Sequence, residues 1–465
     1  MSNNRQKVDG QPIYDARQLG APKMLVLGIQ HMFAMFGATV LVPALTGLSV
    51  SATLLFAGLG TLLFHFLTKG MVPAFLGSSF AFLAGYQAIA PNGEKELLPY
   101  ACIGVACAGL VYLILSALIK AFGAKKILKF FPPIVTGPII VAIGLTLSGS
   151  AISNCKSNIW VAGFAILIVV ICNIWGKGMV KIIPILLSVI GSSALAAVFY
   201  NTGIDKTVVD SAKIQAFKDA SWIGIPFKME DTVFEVFKSP DTKLITTAII
   251  TIMPIAIATI VEHIGDISAI SSTTNKNYFK KPGLHRTILG DGLATIMASF
   301  FGAPANTTYG ENTGVLSLSK VYDPLVIRIA AYFAIIFSFS PKFAALVSLM
   351  PTATIGGVSL ILYGMISAVG LRNIVESKVD FSKTRNVIIA ALIMVVSIGV
   401  KYGTVDGSFD IHIGEVDIAL SGLALGAIIG IVLNAVMPDK DYEFDDEEEV
   451  EEEIEENLER ESEGK

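Results

Sequence analysis

Three carboxylates, Glu262, Asp266 and Glu311, stand inside stretches that are otherwise almost free of charge. Glu262 and Asp266 are spaced i, i+4, so a helix puts both on one face. Glu311 follows a run rich in Gly, Pro, Ala and Asn that no regular helix would choose. An ionised side chain at the middle of a membrane span costs roughly 2.5 to 3.5 kcal/mol on insertion scales, so it persists where it faces a cavity, a partner or a proton path. Such a cluster could accept N–H groups from a polar ligand and hold a proton. His31 and His263 are candidate proton relays that could equally serve helix packing, and Asp291 has a similar standing. His65 is less informative, and His285, beside Arg286, reads as a solvated edge residue. No H-E-x-x-H, nucleophile elbow, P-loop or dinucleotide fingerprint occurs in the right context. Without a nucleotide site, work must be driven by an ion gradient, and neither a cofactor nor a metal is expected.

The elements that hold these groups follow from composition. The chain has 465 residues, 53% hydrophobic and 15% charged, with a mean hydropathy of +0.67. Soluble chains average about 25% charge, so a cytosolic enzyme and a nucleic-acid binder are nearly excluded. Apolar runs fall at 24–48, 54–67, 98–119, 134–147, 159–174, 182–200, 244–270, 288–301, 325–339, 355–369, 387–400 and 418–436. Two further stretches, 72–90 and 302–320, reach membrane length only if their Gly, Pro, Ser and Asn lie inside the bilayer. Counting them predicts 14 spans and an all-α polytopic membrane protein. An even count puts both termini on one side. Short-loop cations such as Lys125, Lys126, Lys129, Lys177, Lys181, Lys276, Lys280, Arg372 and Lys383 make that side the cytoplasm. The start of the chain shows no cleavable signal pattern, so the first span is expected to direct its own insertion.

The two irregular stretches hold the third and tenth positions, which are equivalent if the chain is two copies of seven spans. Seven is odd, so the second copy is inverted. Paired interrupted spans in an inverted repeat point to a transporter substrate site near the midplane. In the third stretch, Ser78 or Ser79 is expected to cap a half-helix; in the tenth, Asn306 or Thr307. The expected organisation is a tail at 1–22, a first repeat at 23–200, an extracytoplasmic loop at 201–243, a second repeat at 244–437 and a tail at 438–465. Residues 439–465 carry 16 acidic and 3 basic residues, a net −13, leaving +9 on the rest. Such a segment repels itself and is expected to be disordered. Cys102, Cys107, Cys155 and Cys172 have neither disulfide nor metal spacing.

Several blocks together resemble the nucleobase/ascorbate transporter family, nucleobase:cation symporter-2, and most closely its uracil permease branch. They are the run from Gln30-His31 to Pro43, Gly77-Ser-Ser-Phe-Ala-Phe82, Val261-Glu-His-Ile-Gly-Asp266, Pro282-Gly-Leu-His-Arg286, Asn306-Thr-Thr-Tyr-Gly-Glu-Asn-Thr-Gly314 and Gly356-Gly-Val-Ser-Leu-Ile-Leu-Tyr363. The resemblance implies two inverted seven-span repeats, with a core of spans one to four and eight to eleven and a gate of the rest. Short β-strands in the broken third and tenth spans meet at the substrate. It further implies that Glu262 and Glu311 bind the base, that backbone amides at Phe80 and Gly310 bind its carbonyls, that Tyr309 lies at the site, and that Tyr363 is a gate tyrosine. Proton coupling would fall to Asp266, Glu262, His31 and His263, and a homodimer in the cell membrane is implied. Glu311 at the head of the family signature is similar to uracil carriers. Ser319 replaces the signature Thr, and Asp266 resembles the xanthine and urate branch, so a purine symporter is the alternative. An anion exchanger or channel of the same architecture would favour a cation where Glu311 stands.

Overall fold

The computed structural model describes residues 12–124, 126, 132–404, 407–413 and 416–438. The acidic tail at 439–465, residues 1–11 of the first tail, and Lys125 and Lys129 lie outside the described residues.

Helices occur at every expected position. The first set comprises α1 (Ala21–Thr46), α2 (Val50–Leu67), α3 (Leu83–Ile89), α4 (Leu98–Phe122), α5 (Pro133–Cys155), α6 (Ile159–Ile174) and α7 (Pro184–Thr202). Their limits follow local chemistry. Gly47 takes a left-handed conformation and closes α1 by donating its N–H to Pro43 O at 2.9 Å. Ser49 opens α2 by accepting from the Ala52 N–H. A connecting segment holding α8 (Ser211–Asp219) leads to α9 (Thr242–Ile252) and α10 (Ile255–Thr274), which are separated at Met253 and Pro254 because a proline cannot donate within a helix. Then follow α11 (Leu284–Phe300), α12 (Gly310–Ser319), α13 (Pro324–Ser338), α14 (Pro341–Ser348), α15 (Thr352–Glu376), α16 (Thr384–Gly403) and α17 (Gly422–Val436). Among the described residues, eight helical segments are long and apolar enough to cross a membrane, taking α9 and α10 as one, and α13 with α14 makes a ninth.

Two features depart from the sequence reading. The chain turns by 90° between α13 and α14, where Pro341 starts a new helix capped by Ser340, a segment the sequence leaves as loop. A hairpin forms from β3 (Ser408–Ile413) and β4 (Val416–Ser421), so α17 begins at Gly422 rather than at 418. The sequence there alternates apolar and polar residues, the period of a strand.

Helix packing sorts into two sets. One gathers α1, α2, α4 and α9 to α13, with α4 on α11, α2 on α13, α1 on α13 and α4 on α9. The other gathers α5, α6, α7, α15, α16 and α17, with α5 on α15, α6 on α7, α16 on α17, α6 on α15 and α5 on α16. Numbering the expected stretches one to seven and eight to fourteen, these pairings map onto one another when the halves are exchanged. The α4–α11 contact becomes α13–α2, α1–α13 becomes α9–α4, and α6–α7 becomes α16–α17.

Candidate functional site

The two irregular stretches meet. Ahead of α3 and α12 the chain forms β1 (Leu76–Ser78) and β2 (Asn306–Thr308), paired antiparallel with Gly77 opposite Thr307. The ladder extends one bond beyond each end, Ser79 N to Ala305 O at 2.8 Å and Tyr309 N to Phe75 O at 3.0 Å. This pairing corrects the expected caps. Ser78, Asn306 and Thr307 lie in strands and Ser79 in the ladder, so α3 starts at Leu83 and α12 at Gly310, neither with a side-chain cap. Extended pairing consumes the residues that would otherwise fold back over a helix start.

Flanking helices hold this ribbon through equivalent threonines. Thr61 on α2 accepts from Leu76 N (2.9 Å) and donates to Leu76 O (3.2 Å), while Thr295 on α11 donates to Asn306 O at 2.8 Å. Asn306 donates its side-chain amide to Phe56 O at 2.9 Å. Tyr309 crosses back over the ribbon, its hydroxyl donating to Ser78 O at 2.9 Å and accepting from Thr39 at 3.3 Å. The ring fits because residue 77 is glycine: a Cβ there would lie 2.4 Å from it. Buried backbone requires this level of satisfaction at membrane depth. The exceptions are informative. Among the described residues, the amides of Phe80 and Gly310, where the two strands run out, have no acceptor.

The carboxylates gather at the Gly310 end of the ribbon. Glu262, Asp266 and Glu311 are each partly buried. Both Glu262 and Glu311 act electrostatically on Asp266 and on Tyr309. Gly310, exposed at the start of α12, has Asp266 Oδ1 only 3.8 Å from where a Cβ would sit. Asp266 also accepts from Thr308 Oγ1 at 2.8 Å, and that hydroxyl lies 3.4 Å from His263 Nδ1. Behind it His263 and Asp291, both fully buried, approach at 3.2 Å. A line of polar groups therefore runs from Asp266 through Thr308 and His263 to Asp291.

Not every expected residue joins this cluster. Asn312 on α12 donates its side-chain amide to His31 O at 3.1 Å and lies 3.2 Å from His31 Nδ1, so His31 fastens α1 to α12 on the other side. Tyr363 is buried on α15, in the second packing set, with its hydroxyl near Ser359 and Ser150. Phe80 is half-buried at the end of β1. Sequence reasoning missed Thr39, Thr61, Thr295 and Thr308. Thr39 and Thr308 fall within quoted blocks, but none of the four has a spacing that would have marked it.

Chemically, the site offers acceptor carboxylates beside the unpaired N–H of Gly310, with a second unpaired N–H at Phe80. That pattern suits a small planar ligand with alternating donors and acceptors, and a proton held among acids.

Comparison with known proteins shows the family. The model of the permease family that takes in xanthine and uracil permeases matches residues 22–405. The uracil permease of Bacillus caldolyticus is 39% identical over 426 residues, 90% of this chain and 92% of that protein. Those of Bacillus subtilis and Escherichia coli K12 are 37% and 36% identical, over 89% and 88% of this chain and 92% and 90% of their own lengths. Among solved structures, the transmembrane domain of the cyanobacterial bicarbonate transporter BicA superposes with a TM-score of 0.55 at 14% identity, covering 91% of this chain and 99% of that one. The murine anion transporter Slc26a9 superposes with a TM-score of 0.60 at 11% identity, covering 90% and 68%. At such identities the likeness is one of fold. With its apolar helices, these relatives make the chain a multi-pass membrane protein.

Proposed function

We propose that this chain, which belongs to the permease family and to its uracil permease branch, imports uracil by proton symport through alternating access. The observation that carries the reading is the gathering of Glu262, Glu311 and Asp266 about the unpaired amide of Gly310, at the end of a β1–β2 ribbon whose other strand leaves the Phe80 amide unpaired. Neutral uracil presents two N–H donors and two C=O acceptors around one ring. Glu262 and Glu311 accept the N–H groups, the two amides donate to the carbonyls, and Phe80 stacks beside the ring. Tyr309 holds the ribbon in register, and Tyr363 closes the site from the second packing set.

Uracil carries no charge, so the driving force must enter on the protein. A buried set of acids holds a proton more easily than an equal number of separate charges. Asp266, one turn from Glu262 on the same helix face and bonded to Thr308, takes the proton from outside, lowers the charge of the core and allows it to move past the gate. The less acidic cytoplasm removes it. Exchange symmetry among the helix contacts supports 14 spans in two inverted seven-span repeats, with the first packing set as core and the second as gate. Both termini lie in the cytoplasm, the bilayer is the cell membrane, and the working unit is a homodimer. The acidic pocket disfavours the anion transport named for chains of similar fold, whereas Asp266 keeps a purine substrate as the second reading. Calorimetry on the purified protein tests the substrate: uracil binds and xanthine does not, and heat with xanthine alone would overturn the assignment.

A further inference from the structure

The segment joining the two halves displays three large apolar side chains that nothing in the fold covers. Trp222 is 75% exposed, Ile223 83% and Ile225 78%. This is not a loose loop tip, because the backbone is fastened on both sides. Gly224 donates its N–H to Phe339 O at 2.9 Å, and Lys342 donates its own to Ser221 O at 2.9 Å. Position 224 must be glycine for this approach, since a Cβ would lie 2.6 Å from Pro341 Cγ. Further along, Phe227 sets its ring edge-on to Phe301 at 5.2 Å. On the other flank, the Lys342 ammonium donates to Lys218 O at 3.0 Å and sits 4.6 Å over the ring of Phe217 and 5.9 Å over that of Trp222. Three apolar side chains are thus held outward by a rigid strap.

The fastening also fixes their depth. Phe339 and Lys342 form the 90° corner between α13 and α14. The 15 residues of α13 rise about 22 Å, less than the roughly 30 Å hydrocarbon layer. If α13 crosses the bilayer, as the proposed function requires, the corner lies at or just inside the headgroup boundary, and α14 runs along that boundary. At that level a tryptophan suits the membrane–water interface, and isoleucines beside lysines suit a segment whose apolar side reaches into the headgroup–acyl boundary.

We propose that residues 221–225, seated on the α13–α14 corner, are an interfacial anchor whose Trp222, Ile223 and Ile225 insert into the headgroup–acyl boundary of a phospholipid bilayer. The occupant is lipid rather than a second copy of the chain. Lys218 and Lys342 lie where lipid phosphates would meet them, and the patch continues the exposed apolar surface of α13 at Ile336 and Phe339. The anchor ties the link between the halves to the bilayer at the end of a core helix.

The test uses the full chain in phosphatidylcholine vesicles. With Trp160→Phe and Trp175→Phe, Trp222 is the one remaining tryptophan, and its emission is read with lipids brominated near the glycerol or near the chain end, and with aqueous iodide. Quenching about twofold stronger from the shallow bromines than from the deep ones, with little effect of iodide, is expected for a side chain seated at the interface. Strong iodide quenching without lipid quenching overturns the proposal in favour of water, and shielding from both overturns it in favour of a protein partner. A companion chain with all three tryptophans changed to Phe and Tyr332→Trp at mid-α13 separates the premises. Deep quenching there keeps α13 in the bilayer even if the anchor fails. Its absence removes the span on which the anchor rests.

Discussion

Replacing Glu311 by Gln removes one acceptor and adds a donor at a point where the structure can spare neither. The Glu311 carboxylate already interacts with its own backbone N–H, as an acid in the first turn of a helix can. On the proposed function, its second oxygen accepts an N–H of the base. Glutamine has a single carbonyl oxygen, so either the amide of the helix start or the base loses its partner, and the NH₂ group faces another N–H. An unmet buried hydrogen bond to a charged group is worth about 1.5 to 3 kcal/mol, which weakens the Kd for uracil roughly 10- to 140-fold. Calorimetry on detergent-purified wild type and Glu311→Gln measures this directly, with thermal melting to establish that both are folded. Equal affinities in two folded proteins would remove Glu311 from the site and refute the complementarity argument.

Three further outcomes follow from the same geometry. Asp266→Asn keeps an acceptor for Thr308 but cannot take up a proton, so it binds uracil and exchanges internal for external uracil, yet does not accumulate it; proton-dependent accumulation like wild type would move the coupling to His31, His263 or Glu262. Labelled uracil is displaced far better by unlabelled uracil than by xanthine, whose second ring needs space beside Phe80; equal competition would promote the purine reading. Gly77→Ala drives a methyl into the Tyr309 ring and destabilises the ribbon by about 1 to 3 kcal/mol, lowering both the melting temperature and uracil affinity; an unchanged melting curve would show that the ribbon relaxes freely.

Much of the scaffold is legible in the sequence because lipid imposes a length and polarity code. The runs at 24–48 and 98–119 could be little else, and α1 and α4 occupy them. The breaks at 72–90 and 302–320 were also readable, as was the shared face of Glu262 and Asp266, since both rest on local spacing. Pairing was not. Nothing local tells Gly77 that it will face Thr307, more than two hundred residues away. The expected caps at Ser78 and Asn306 therefore failed: a local propensity lost to a long-range ladder. Thr61, Thr295 and Thr308 stayed invisible for a related reason, since an isolated threonine in an apolar helix or strand carries no signal until its partner arrives. The 90° corner at Ser340 and Pro341 carried a legible cap and a helix-starting proline, but these followed directly on an apolar run whose end at 339 read as a simple span end.

On the proposed function, an acid-lined site turns a proton gradient into uracil accumulation. Purified protein in sealed vesicles, given labelled uracil with an inward proton gradient and then with that gradient collapsed by a protonophore, tests it most directly. Accumulation above the external concentration is expected in the first case and equilibration to that concentration in the second. Equal uptake in both, or a failure to concentrate uracil under the gradient, would contradict it.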